Sequence, residues 1–159
     1  MDVFKLWVDH GKKPESAAYE YVVVPGVSEQ ELFSGKGLDR GIEILSKTSD
    51  IHTVVNRKLG LCQIAFYKSG DVKILDGLSL GMESQGMAMA KINGNRVAEL
   101  TVADPSRKLR SAIVTLSGIY QAKGDHFLAI PDPDKGMTRI IVDLPQGVYA
   151  GKSITIALK

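Results

Sequence analysis

Met87-Ala88-Met89-Ala90-Lys91-Ile92, then Asn93-Gly94-Asn95, then Arg96-Val97-Ala98-Glu99-Leu100-Thr101-Val102 is the stretch on which the fold turns. Two strand-like runs flank a short segment whose Asn and Gly tolerate the positive φ of a tight primed turn, which predicts an antiparallel hairpin. Similar short β-branched or aromatic runs, bounded by Gly, Ser, Asp or Pro, lie on both sides. Upstream they are residues 3–8, 19–24, 42–45, 52–56, 61–67 and 72–75; downstream they are 112–116, 126–130, 138–144 and 153–158.

Runs of this length without a sustained 3.6-residue period predict an all-β fold, an antiparallel β-sandwich with at most one or two short helical turns. The helical signal is Ser28-Glu29-Gln30-Glu31 before Leu32-Phe33, a capping-box spacing in which Ser28 caps Glu31 and Glu31 reaches back. Ser34-Gly35-Lys36-Gly37 follows as the best linker, since paired glycines after a helical turn favour a chain reversal. The expected organisation is therefore a segment 1–34 followed by a sandwich domain 35–159, with one continuous domain as the alternative.

The bulk composition is that of a globular protein: of 159 residues, 44% are hydrophobic and 24% are charged. A chain of that size buries roughly 68–70% of its unfolded surface, enough for one domain with a small appendage. Lys and Arg number 20 against 18 Asp and Glu, and a net charge of +2 does not by itself imply a nucleic-acid or membrane partner. The densest basic pairs, Lys12-Lys13, Arg57-Lys58 and Arg107-Lys108, read as solvated turns. No apolar stretch approaches the 18–20 residues or so of a membrane span, and no signal-peptide pattern is present. The abrupt strand-like start at Val3-Phe4-Lys5-Leu6-Trp7-Val8 raises the expectation that Met1 lies inside a longer polypeptide.

Chemistry is sparse. Cys62, the single cysteine, sits in an apolar run and reads as a small buried hydrophobe. His10, His52 and His126 are far apart and lack the i,i+4 partners of a helical metal site. His10 reads as a turn residue, His52 as a cross-strand side chain and His126 as the start of a strand. No Gly-x-Ser-x-Gly nucleophile motif occurs, and Gly35-Lys36-Gly37 lacks the spacing of a phosphate loop. Pro131-Asp132-Pro133-Asp134, with Asp125 and Asp143 nearby, could offer oxygens to calcium, but a proline-rigidified turn is the simpler reading. Trp7, Tyr19, Tyr21, Tyr67, Tyr120 and Tyr149 could stack on sugar rings; burial is the expectation for most of them. The residues thus nominate no catalytic, cofactor-binding or metal-binding set.

The order of certain motifs resembles a known family. Leu6-Trp7-Val8-Asp9-His10-Gly11, Pro14 and Tyr19-Glu20-Tyr21-Val22-Val23-Val24-Pro25 resemble the stretch that closes the central β-domain of polysaccharide lyase family 8, the chondroitin, hyaluronan and xanthan lyases. The run from Ile42 to Val55 resembles that family's entry into its C-terminal β-domain, with His52 where the pattern has Gln. Val102-Ala103-Asp104-Pro105-Ser106 resembles a later Asp-Pro-Ser/Thr turn. The resemblance spans roughly residues 4 to 118.

It implies a parent enzyme with an N-terminal helical toroid, a central β-sandwich and a smaller C-terminal β-domain, secreted or periplasmic. In the family the β-elimination residues lie in the toroid, so the resemblance places them outside this chain and implies no cofactor here. β-Elimination of a uronic-acid glycoside needs a group that neutralises the carboxylate, a base for the C5 proton and an acid for the leaving oxygen, all around one sugar. The expected role is then a non-catalytic C-terminal region. Its expected partners are the rest of the parent lyase and an acidic polysaccharide, with no nucleic acid and no membrane. The alternatives are an autonomous carbohydrate-binding module and a purely structural sandwich.

Overall fold

The computed structural model describes residues 7–34 and 41–159. The chain divides into two units, Met1–Leu38 and Asp39–Lys159.

In the first unit the capping box forms as its spacing predicts. The Glu31 amide donates to Ser28 Oγ at 3.3 Å and the Ser28 amide to Glu31 Oε2 at 2.9 Å, opening a single helical turn, α1 (Glu29–Phe33). The Asp9-His10-Gly11 turn also forms, with Gly11 N donating to Asp9 Oδ1 at 2.8 Å. The strand expected over 19–24 does not: Tyr19 to Val24 carry no ladder, and Tyr19, Tyr21, Val22 and Val23 are exposed. A strand exists only by pairing, and β-branched composition cannot supply the partner. Of the strand expected at 3–8, residues 3–6 lie outside the described set, and Trp7 and Val8 are exposed and unpaired.

The second unit is the expected sandwich. One sheet, sheet A, has the order β1 (Ile42–Lys47), β2 (Ile51–Asn56), β3 (Leu61–Phe66), β6 (Gly86–Asn93), β7 (Arg96–Ala103), β12 (Ile154–Ala157). The other, sheet B, has the order β4 (Gly70–Leu75), β5 (Leu78–Met82), β8 (Ser111–Ser117), β11 (Met137–Asp143), β10 (Phe127–Asp132), β9 (Lys123–Gly124). Every neighbouring pair is antiparallel. The deciding hairpin is β6–β7, closed between Asn93 and Arg96 with Gly94 at φ 58°. Period-two alternation sends Cys62, Ile64 and Phe66 inward along β3 while Gln63 points out. Together with Leu80, Val114, Leu116 and Ile140 of sheet B they form one core.

β5 escapes the strand pattern because Ser79 and Gly81 break its apolar run, yet Leu78, Leu80 and Met82 are almost fully buried. Gly60 marks another close approach. Its carbonyl accepts Ile92 N at 2.6 Å beside the β6 irregularity, and a Cβ there would sit 2.5 Å from the Ile92 carbonyl oxygen. Arg57 is also more than a solvated turn residue, because it pairs with Glu43 at 2.8 Å and donates to the Ile74 carbonyl of sheet B at 3.0 Å.

Candidate functional site

The chain changes sheets four times, and the registers bring all four crossovers to one end of the sandwich. Phe66 stands opposite Gly86, Met87 opposite Ala103, and Val102 opposite Ile154. The crossovers that leave or enter at these points are 67–69, 83–85, 104–110 and 144–153. Loops carried on a rigid sheet end are where a sandwich places binding residues.

Here Ala65, Phe66, Tyr67, Gln85, Gly86, Met87, Asp104, Pro105 and Ser106 line an open groove of about 310 Å³. Tyr67 is 56% exposed, and its ring meets His52 edge-on at a centroid distance of 5.0 Å. His52 is thus the cross-strand side chain expected of it, and it orients an aromatic platform. Gln85 Nε2 donates to Ser106 Oγ at 3.4 Å across the groove rim. At Gly86 a Cβ would meet the Met82 side chain of the core at 2.5 Å and the Ala103 carbonyl at 3.2 Å, so the strand there packs closely on the core.

Asp104 organises the third wall. It is 2% exposed, and its Oδ1 accepts Ser106 N at 2.9 Å and Ser106 Oγ at 2.6 Å, while Oδ2 accepts Lys108 N at 2.8 Å and Leu109 N at 2.7 Å. Burial pushes its carboxyl up, but the Ser106 hydroxyl and the amides of Leu109, Lys108 and Ser106 together outweigh burial and hold it below the usual carboxylate range. A carboxylate so fully occupied is a loop clamp and has no lone pair left for a substrate proton.

The remaining candidates stay dispersed. His10 lies in the first unit against Tyr19, and His126 is exposed in the β9–β10 turn. Cys62 is fully buried, and burial pushes its thiol up to about 11 against the opposing charge of Arg57. Asp132 is tied to Lys135 at 3.0 Å in the turn between β10 and β11. Among the described residues no group of three or more His, Cys, Asp or Glu gathers in metal-binding geometry. What the groove can do is bind: stack a ring on Tyr67 and offer amide and hydroxyl groups at its rim.

The aromatics correct the expectation of burial. Only Tyr120 of the six is buried; Trp7, Tyr19, Tyr21, Tyr67 and Tyr149 are exposed. Tyr19 and Tyr21 stack at 6.0 Å because alternate residues of an extended segment share a face. The crossover end itself was missed by sequence reasoning, since convergence of four loops is a property of strand order.

Comparison with known proteins places these features in a family context. Residues 43–113 match the family model described as polysaccharide lyase family 8, C-terminal beta-sandwich domain, and residues 1–35 match polysaccharide lyase family 8, super-sandwich domain. Chondroitinase-AC of Pedobacter heparinus is 28% identical over 156 residues, covering 98% of this chain and 20% of that protein. Xanthan lyase of Bacillus sp. strain GL1 is 28% identical over 102 residues, or 64% of this chain and 10% of that protein. The structure of Streptomyces coelicolor A3 chondroitin AC lyase in complex with chondroitin sulphate superposes with a TM-score of 0.69 at 20% identity, over 94% of this chain and 19% of that one. The chain therefore spans about a fifth of the length of the chondroitinase relative, and its sandwich has that fold.

Proposed function

We propose that this chain, which belongs to polysaccharide lyase family 8, is the non-catalytic C-terminal β-sandwich region of a bacterial lyase that cleaves acidic glycans of the chondroitin or hyaluronan type by β-elimination. The observation that carries the reading is the order of the two family matches, super-sandwich domain then C-terminal domain, on a chain in which no group of three or more His, Cys, Asp or Glu gathers among the described residues. In this reading residues 1–34 are terminal strands of the parent's central β-sandwich. The exposed Trp7, Val8, Tyr19, Tyr21, Val22 and Val23 support it, because an apolar segment without ladder partners is what remains of a sheet strand seen without its neighbours. The parent is secreted or periplasmic, where its polymeric substrate is met, and its helical toroid and central domain are this region's partners.

The test is a chimera. The corresponding region of the Pedobacter heparinus chondroitinase-AC is replaced by this chain, and release of unsaturated uronate is followed by absorbance. Activity in the chimera, with none from the 159-residue chain alone, is the expected result. Turnover by the isolated chain would sink the division of labour.

A second reading, an autonomous carbohydrate-binding module, is favoured by the Tyr67 groove. It expects a Tyr67→Ala substitution to abolish calorimetric heat with chondroitin sulfate or hyaluronan; no heat from the unsubstituted chain at millimolar ligand would reject it.

A further inference from the structure

Two of the four crossovers lie against each other and carry cations. Gln146 Nε2 donates to the Leu109 carbonyl at 3.0 Å, Leu144 N donates to the Arg110 carbonyl at 2.9 Å, and the Arg107 side chain lies over Gly151, where an added Cβ would meet its Cγ at 3.1 Å. The result is a ridge bearing Arg107, Lys108, Arg110 and Lys152, all exposed.

Among the described residues none of the four has an ion pair, whereas Arg57, Lys68, Lys73, Lys135 and Arg139 each hold a carboxylate within 3.0 Å. The carboxylate nearest the ridge in sequence, Asp104, is buried and consumed by backbone amides. Asp143 alternates with buried Val142, so it faces the outer side of sheet B, and its amide bonds His126 towards the β9 edge. Four cations held together without counter-charges raise the local positive potential and draw in a polyanion.

The ridge also carries an aromatic. The short 3-10 turn Gly147–Tyr149 leaves Tyr149 66% exposed, with Lys152 Nζ 5.9 Å from its ring centroid. Arg107 is held at φ 62°, a left-handed conformation in which a non-glycine residue is uncommon. The Asp104 clamp fixes that loop, so its cations are presented by a rigid backbone, which lowers the ordering cost of binding.

We infer that Arg107, Lys108, Arg110 and Lys152, with Tyr149, form a binding site for an acidic polysaccharide, built from residues other than those that line the Tyr67 groove. Guanidinium groups pair with carboxylates or sulfate esters along the chain while the phenol ring stacks on a sugar face. The choice of glycan over nucleic acid rests on the proposed lyase reading. In a lyase, such a site holds a long polymer near the enzyme between cleavages.

The test uses the whole 159-residue chain over surfaces of immobilised chondroitin sulfate, hyaluronan, neutral dextran and single-stranded DNA. Binding to the two acidic glycans, weakened by salt, and none to dextran are expected. The triple substitution Arg107→Gln, Arg110→Gln, Lys152→Gln is expected to lower affinity about tenfold and flatten the salt dependence, as loss of cation–polyanion contacts does. The charge-matched control Lys68→Gln, Lys73→Gln, Lys135→Gln is expected to stay within about twofold, since those cations are already neutralised by partners. Circular dichroism and melting verify that both triples are folded. Tyr149→Ala is expected to weaken binding and leave the salt slope unchanged. Equal losses in both triples, or DNA held as tightly as glycan, would overturn the site. The chimera separates the two proposals: an active chimera whose isolated region binds no glycan rejects the ridge alone, and glycan binding with an inactive chimera rejects the lyase reading alone.

Discussion

The phenolic oxygen of Tyr120 accepts the backbone N–H of Val97 at 3.0 Å, tying the loop between β8 and β9 of sheet B to β7 of sheet A. The same residue's amide donates to Thr138 Oγ1 at 2.9 Å, whose hydroxyl in turn donates to the Gly118 carbonyl at 2.9 Å. Arg96 closes the arrangement, with its guanidinium carbon 4.4 Å from the Tyr120 ring centroid and Nη2 donating to the Ile119 carbonyl at 2.7 Å. Tyr120 is 1% exposed, so the Val97 amide has no water to turn to if the phenol is removed.

Tyr120→Phe keeps the ring and strands that amide. An unsatisfied buried donor costs about 1–3 kcal/mol, and urea unfolding of the whole chain is expected to show a loss in that range. Unchanged stability would mean that the bond contributes nothing beyond packing.

Thr53 presents the opposite case. It is 0% exposed in β2, and its Oγ1 has no hydrogen-bond partner among the described residues. Thr53→Val keeps the β-branched shape and removes an unsatisfied hydroxyl, so it is expected to stabilise the sandwich by about 1 kcal/mol. A lower urea midpoint for the valine variant would contradict this.

Asp104 links stability to pH. Its folded-state pKa is held below the unfolded value of about 3.9, so its contribution is complete above that value and is lost as pH falls through the folded pKa. Asp104→Asn leaves some of the four donors unmatched, and a loss of about 1.5–3 kcal/mol at neutral pH is expected, with a flatter acid limb. Chemical denaturation at a series of pH values from 7 downward measures both.

Cys62 is expected to be inert in the native protein. With the thiol buried and its pKa raised to about 11, thiolate is scarce at pH 8 and access is closed. A thiol reagent such as Ellman's should leave it unmodified until denaturant is added; rapid native labelling would show that β3 opens readily.

Much of the sandwich was legible because alternation is local. Each of β2, β3, β8 and β11 announces its inward face through residues such as Val55, Ile64, Val114 and Ile140, and the Asn93-Gly94-Asn95 turn declares antiparallel pairing. The capping box at Ser28 and Glu31 was legible for the same reason, since its two bonds span three residues. Tyr19 to Val24 misled because strand-like composition does not specify a partner.

The binding surfaces were not legible in this way. Tyr67, Gln85 and Ser106 are distant in the chain, as are Arg110 and Lys152, and no spacing rule joins them. By itself the sequence determined an antiparallel β-sandwich and, through its ordered motifs, a family. Only the tertiary structure decided that four crossovers share one end, that five of the six Trp and Tyr side chains stay exposed, and that the four cations of two adjoining crossovers have no ion pair among the described residues. Alternation and turn chemistry act over a few residues, whereas strand order and loop convergence arise from burying two apolar faces against each other, a condition met only by the whole chain.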